Sequence, residues 1–157
     1  MPRSLLKLKN YDVHSVGVEY MGRINFNITA WVTQTAMGGK QLVVALYKPD
    51  FTLELVKKSG RFSLNLLAED QAKLISKLGR KSGRDSDKLK NLAFQTDSNG
   101  FPFLTESVGY VSCRVLGWAD GGDHELAICE VLGQKILLPE KKVLTLNYLR
   151  EKKQIRG

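Results

Sequence analysis

Lys48 and Thr52 stand on either side of a Pro49-Asp50 break, and that spacing suits the binding of an anion. The apolar run 42–47 ends at Lys48, Pro49 stops it, and Asp50 or Thr52 can cap a short helix that Gly60 ends. Backbone N–H groups at the helix start, a hydroxyl and an ammonium would converge there, a set that favours phosphate or carboxylate. A second basic group follows. Residues 77–90 carry Lys77, Arg80, Lys81, Arg84, Lys88 and Lys90 against Asp85 and Asp87, interleaved with Gly79, Ser82 and Gly83. Other reactive side chains are scarce: the histidines are His14 and His124, the cysteines Cys113 and Cys129. No serine sits in a Gly-x-Ser-x-Gly elbow, and there is no G-x-G-x-x-G and no P-loop. Both thiols fall in strand patterns instead of at helix N-termini, where a thiolate is stabilised. Cys113, His124 and Cys129 lack the close pairing of zinc ligands, so no metal is expected. If this chain catalyses anything, a cofactor carries the reactivity.

The elements that must position these residues read mostly as strands. Residues 42–48 are aliphatic without alternation, as in a strand buried on both faces, and strand patterning resumes at 61–67. Residues 11–20 and 24–35 read as two strands joined by a tight turn at Met21-Gly22-Arg23. Residues 69–78 show helical spacing that Gly79 ends, and 80–91 form a polar loop. Residues 93–96 and 101–104 flank a turn at 97–100. Residues 108–118 and 125–134 form the clearest hairpin, with Cys113 expected opposite Cys129 on the core face. Residues 135–144 are expected to add a strand, and the C-terminal residues a helix. Many strands with two short helices between them predict a mainly β fold, a Greek-key-like antiparallel barrel.

With 157 residues the chain is read as one domain, 1–157, its barrel at about 10–145 and a basic tail at 146–157. A hydrophobic content of 43% and a charged content of 25% describe an ordinary globular protein. There is no signal peptide and no apolar run of membrane-spanning length, and two cysteines without a secretion signal point to the cytoplasm. The formal net charge of +8 suggests a polyanionic partner, an anionic small ligand, or only solubility.

Four segments, taken in order, resemble the flavin reductase-like family of FMN-binding split barrels, the flavoredoxin and ferric reductase type. They are Ile28-Thr-Ala-Trp-Val-Thr-Gln-Thr35, Lys48 with Thr52, Leu78-Gly-Arg-Lys-Ser-Gly-Arg-Asp-Ser-Asp-Lys88, and Gly122-Asp-His124 leading to Glu130-Val131. The resemblance implies FMN lying across the barrel of a homodimer, near the subunit interface. It implies that Thr29, Ala30, Trp31 and Val32 run along the isoalloxazine ring through backbone groups, with Thr33 and Gln34 extending that contact. Lys48 and Thr52 would hold the ribityl-phosphate end, and Arg80, Lys81, Ser82 and Gly83 would complete the cradle. His124 would stand at the outer edge of the flavin, where the nicotinamide of NADH or NADPH docks, and electrons would pass to a partner oxygenase or a ferric acceptor. A flavin phosphate suits guanidinium, ammonium and hydroxyl donors. Hydride transfer needs two stacked rings in a dry slot and no strong acid or base, which fits the shortage of catalytic side chains. The chain departs from the family at Met37-Gly-Gly-Lys40, where a Pro-rich turn is common, and Trp31 is bulky enough to narrow the slot. One alternative is a flavin-binding electron-transfer module without nicotinamide turnover. Another is a basic barrel for single-stranded nucleic acid, against which the aromatics are not interleaved with the basic runs.

Overall fold

The computed structural model describes residues 4–79, 82–84 and 87–155. In chain order its strands are β1 (His14–Tyr20), β2 (Arg23–Phe26), β3 (Val32–Gln34), β4 (Gln41–Tyr47), β5 (Arg61–Leu66), β6 (Phe94–Thr96), β7 (Pro102–Leu104), β8 (Gly109–Asp120) and β9 (His124–Ile136). The helices are α1 (Phe51–Ser59), α2 (Leu74–Gly79) and α3 (Leu146–Glu151). Seven strands form one antiparallel sheet in the order β2-β1-β5-β8-β9-β4-β3, and β6 and β7 form a separate pair. Met21 and Gly22 both have positive φ (49° and 82°), the geometry a two-residue hairpin turn requires.

The strand expected over 24–35 is broken between Phe26 and Val32. Within the break Asn27 N–H donates to Val16, Thr29 exchanges both backbone bonds with His14, and Trp31 O accepts from Ala45 N–H. The stretch therefore begins paired to β1 and ends paired to β4, and by crossing between those edges it closes the sheet into a barrel. A straight strand cannot serve both edges, so the chain bends. Asn27 Oδ1, accepting from Val16 N–H at 2.8 Å, helps hold the bend.

Alternation fills the barrel. Val16, Val18, Leu42, Val44, Leu46, Phe62, Leu64, Cys113, Ala127 and Cys129 face inward, and α1 closes one end with Leu53, Leu55 and Val56. Asp50 caps α1 by accepting from Thr52 N–H at 3.2 Å, and Gly60 ends it with φ 76°. Asp50→Ala removes that cap and an acceptor of Asn27, so it is expected to lower stability by about 1–2 kcal/mol in urea denaturation. A second core lies outside the barrel, where Phe26, Leu67, Leu74, Ile75, Leu78, Leu104, Leu144 and Leu149 pack together.

Three local expectations give way to tertiary constraints. The helix over 69–78 splits into a 3-10 turn, Glu69–Gln71, and α2. Its entry is set by the Ala68–Val143 bridge and by Glu69 N–H donating to Lys142 O. Residues 137–144 form no strand: Pro139 has no N–H for a ladder, and this part is held by the isolated bridge at Val143 and by scattered backbone bonds, Leu137 and Leu138 to Val108 and Leu144 to Leu67 and Val13. Cys113 lies opposite Val131 and Cys129 opposite Val115, because bulges at Leu116 and Leu132 shift the register. The two buried thiols are thus diagonal neighbours. Hydrogen bonding to Cys129 and burial push the Cys113 thiol far above its ordinary range, which makes it inert. Among the described residues no helix is long and apolar enough to cross a membrane.

Candidate functional site

The bend at 27–31 leaves a groove on the outer surface of the barrel, formed by two adjoining cavities of about 300 and 370 Å³. They share Asn27, Ile28, Tyr47 and Asp50 as lining. The first half adds Thr29, Ala30, Trp31, Ala45, His124 and Leu146; the second adds Pro49, Leu78, Gly79, Ser82 and Lys88.

The first half is mainly apolar, lined by Ile28, Ala30, Ala45 and Leu146 with the rings of Trp31, Tyr47 and His124. Thr29 Oγ1 donates to Ala45 O at 3.1 Å, which turns the hydroxyl to the barrel wall. His124 pairs with Tyr47 across β9 and β4. Its ring lies 4.8 Å from Trp31 and 5.3 Å from Tyr47, tilted to each. Nδ1 is 2.7 Å from the Asp123 carboxylate, which can only accept, so Nδ1 is the donor in this pair and the ring is held at the edge of the groove.

The second half is polar. Lys88 is only 4% exposed, and its ammonium donates to Leu78 O at 2.8 Å and Phe26 O at 3.2 Å. An ammonium has three N–H bonds, and among the described residues two of them have acceptors. Burial holds the Lys88 pKa below its ordinary value, opposed by the Asp50 carboxylate. Asp50 accepts from Thr52 N–H and from Asn27 Nδ2, and Ser82 Oγ accepts from Arg84 N–H.

The expected site residues are only partly brought together. Thr29, Ala30, Trp31 and Ser82 line the groove. Val32 turns into the barrel, Gln34 shares a cavity with it at the barrel mouth, and Thr33 is exposed. Lys48 and Thr52 do not converge. Lys48 N–H bonds Asp123 O, which aligns the residue with the β8–β9 turn, and its ammonium pairs with Asp120 at 2.7 Å on the surface. Thr52 is fully buried, its hydroxyl accepting from Asn25 Nδ2 at 2.7 Å. Gly83 packs on Asn25, where an added Cβ would fall 2.0 Å from Oδ1, and lines a separate cavity with Arg23 and Arg84. Arg80 and Lys81 lie outside the described residues. Sequence reasoning missed Asn27, Ala45, Tyr47, Asp50 and Lys88 as lining. Lys88 stood in a quoted motif without a role, and period-two alternation from Ala45 to Tyr47 could have placed both on one face.

A family model described as Flavin reductase like domain matches residues 12–155. The chain is 28% identical over 138 residues to the ferric-chelate reductase (NAD(P)H) of Archaeoglobus fulgidus, covering 87% of this chain and 81% of that one. It is 26% identical over 114 residues to diflavin flavoprotein A 1 of Synechocystis sp., covering 72% of this chain but only 20% of that protein's length. In structure it resembles an FMN-binding protein from Thermus thermophilus, with a TM-score of 0.80 and 24% identity over 88% of this chain and 78% of the other.

Proposed function

This chain belongs to the flavin reductase-like family, and from that premise we propose that it binds FMN in the groove and reduces it with NADH or NADPH. The observation that carries this reading is the groove's division into a half walled by Thr29, Ala30, Trp31 and Ala45 and a polar half that holds the buried Lys88 ammonium beside Asp50. A flavin is divided the same way, into a planar ring and a phosphate. The mainly apolar half takes the ring against backbone, as the family resemblance implies. Lys88 and Ser82 take the phosphate, the ammonium supplying a charge-assisted bond. Asp50 and Asn27 lie between these halves and suit the ribityl hydroxyls. Bound flavin supplies the chemistry, accepting a hydride and passing electrons on. His124 stands over the outer edge with Nε2 available, where it orients a nicotinamide carboxamide and helps exclude water. Trp31 and Tyr47, each about half exposed at this edge, are surfaces that a second subunit covers in the proposed homodimer. The electrons then go to a partner oxygenase or a ferric complex in the cytoplasm.

A second reading keeps FMN but removes nicotinamide turnover. It is favoured by the Trp31 ring, whose centroid lies 4.8 Å from His124 beside the edge where nicotinamide would stack. A visible spectrum of FMN-loaded protein under nitrogen separates the two. Bleaching on addition of NADH or NADPH is the expected result and identifies the donor; a flavin that stays oxidised favours the electron-transfer module. No flavin spectrum after FMN addition and removal of excess would sink both. His124→Ala is expected to lower the reduction rate at least about tenfold while FMN affinity changes less than about threefold. Equal losses in both would remove His124 from nicotinamide positioning.

A further inference from the structure

The two ends of the barrel differ. α1 closes one end with Leu53 and Val56. At the other end six strands each send a residue into a single cavity of about 420 Å³: His14 from β1, Val32 from β3, Leu42 from β4, Leu64 from β5, Val111 from β8 and Val131 from β9. The three valines pack against the barrel core yet are only half buried. The bulge at Leu132 then sets Gln134 opposite Val111, which turns its amide to the mouth beside Gln34. Gln34 Nε2 donates to Ala36 O, leaving its carbonyl oxygen for another partner. His14 lies on the inward face shared by Val16 and Val18, and its buried Nδ1 makes no hydrogen bond of normal geometry. Such an atom is costly unless something else meets it.

We propose that this mouth is a second small-molecule site, taking an uncharged molecule of one or two rings that bears a single hydroxyl or carbonyl. The wall inside the mouth is built mainly from apolar side chains, and its charged lining residue, Lys135, is solvent-exposed, so a formal charge held deep in the cavity would lose hydration with little compensation. His14 and the amides of Gln34, Gln41 and Gln134 are the neutral polar side chains placed to orient a ligand in a mainly apolar pocket, and the volume lies in the usual range for such pockets. The site is separate from the FMN groove, because Val32 faces inward from the strand whose preceding residue, Trp31, lines the groove. A ligand here would sit behind the backbone proposed to carry the flavin ring.

The test is equilibrium dialysis of the full chain with 2-naphthol as probe, with and without saturating FMN. The expected result is one saturable equivalent per chain, unchanged by FMN, with naphthalene about tenfold weaker for want of the hydrogen bond. Val131→Phe fills the mouth and is expected to weaken 2-naphthol at least tenfold while FMN affinity is kept. His14→Leu is expected to weaken 2-naphthol to the level of naphthalene, which tests the site even if Val131→Phe folds poorly. Absence of saturable binding overturns the proposal. Displacement by FMN does so too, by placing the probe in the groove. Unaltered binding in both variants would be equally decisive against it. Binding seen only on dilution would overturn it as well, by showing that a second copy of the chain covers the mouth.

Discussion

Lys88→Met is expected to weaken FMN binding by about 30- to 100-fold in a titration followed by flavin fluorescence. The ammonium is the cation buried in the groove lining, and its proposed bond to phosphate is charge-assisted, a class of contact worth about 1.5–3 kcal/mol. Methionine preserves most of the side-chain volume, so the loss reports charge and hydrogen bonding. The substitution also frees Phe26 O and Leu78 O, which the ammonium ties together across the end of α2. Unpaired carbonyls cost about 1–3 kcal/mol each, although relief of a buried charge offsets part of this. A purely structural role is told apart by riboflavin, which lacks the phosphate: its affinity is expected to fall less than about threefold. If riboflavin and FMN weaken equally, Lys88 does not meet the phosphate.

The second large effect is on stability and concerns His14. Burial lowers its pKa to about 4, against an opposing pull from the Asp12 carboxylate and backbone. A histidine whose folded pKa lies below the unfolded value of about 6.5 is protonated first in the unfolded chain. Stability is therefore lost as pH falls from about 6.5 towards 4, and is unaffected by this group above that window. The full loss is bounded at roughly 3 kcal/mol, because the ring also faces a cavity that water can enter. About 2 kcal/mol of it should be lost between pH 7.5 and pH 5, above the range where carboxylates titrate. Urea midpoints of wild type and His14→Leu at those two values provide the measurement. The variant is expected to lose less than half as much stability on acidification, His124 being common to both proteins. Identical losses would show that His14 is not held neutral by the fold.

Much of the fold was legible because its signals are local. Positive φ at Gly22 and Gly60, the Asp50 cap, and the alternation of Val111, Cys113 and Val115 against Ala127, Cys129 and Val131 depend on neighbours a few residues away. The order of the motifs was likewise enough to place the chain in its family. The bulges at Leu116 and Leu132 were not legible, since an extra residue in one strand is defined only by its partner. The bend at 27–31 was hidden for the same reason: each half of that stretch reads as strand, and only pairing to β1 at one end and β4 at the other breaks it.

The composition of the site divides along the same line. The sequence by itself determined a mainly β antiparallel fold and a supply of basic residues, whereas the strand it suggested through Thr29–Trp31 is a bend in the structure. Tertiary structure decided which cation lines the groove. Lys48, adjacent to the cap, is drawn to Asp120 by the β8–β9 turn, while Lys88, thirty-eight residues beyond Asp50, is folded in against Phe26 and Leu78. Proximity along the chain sets caps and turns, but convergence on a ligand requires closure of the barrel and packing of α2 beside it. A side chain's direction there is fixed by partners tens of residues away.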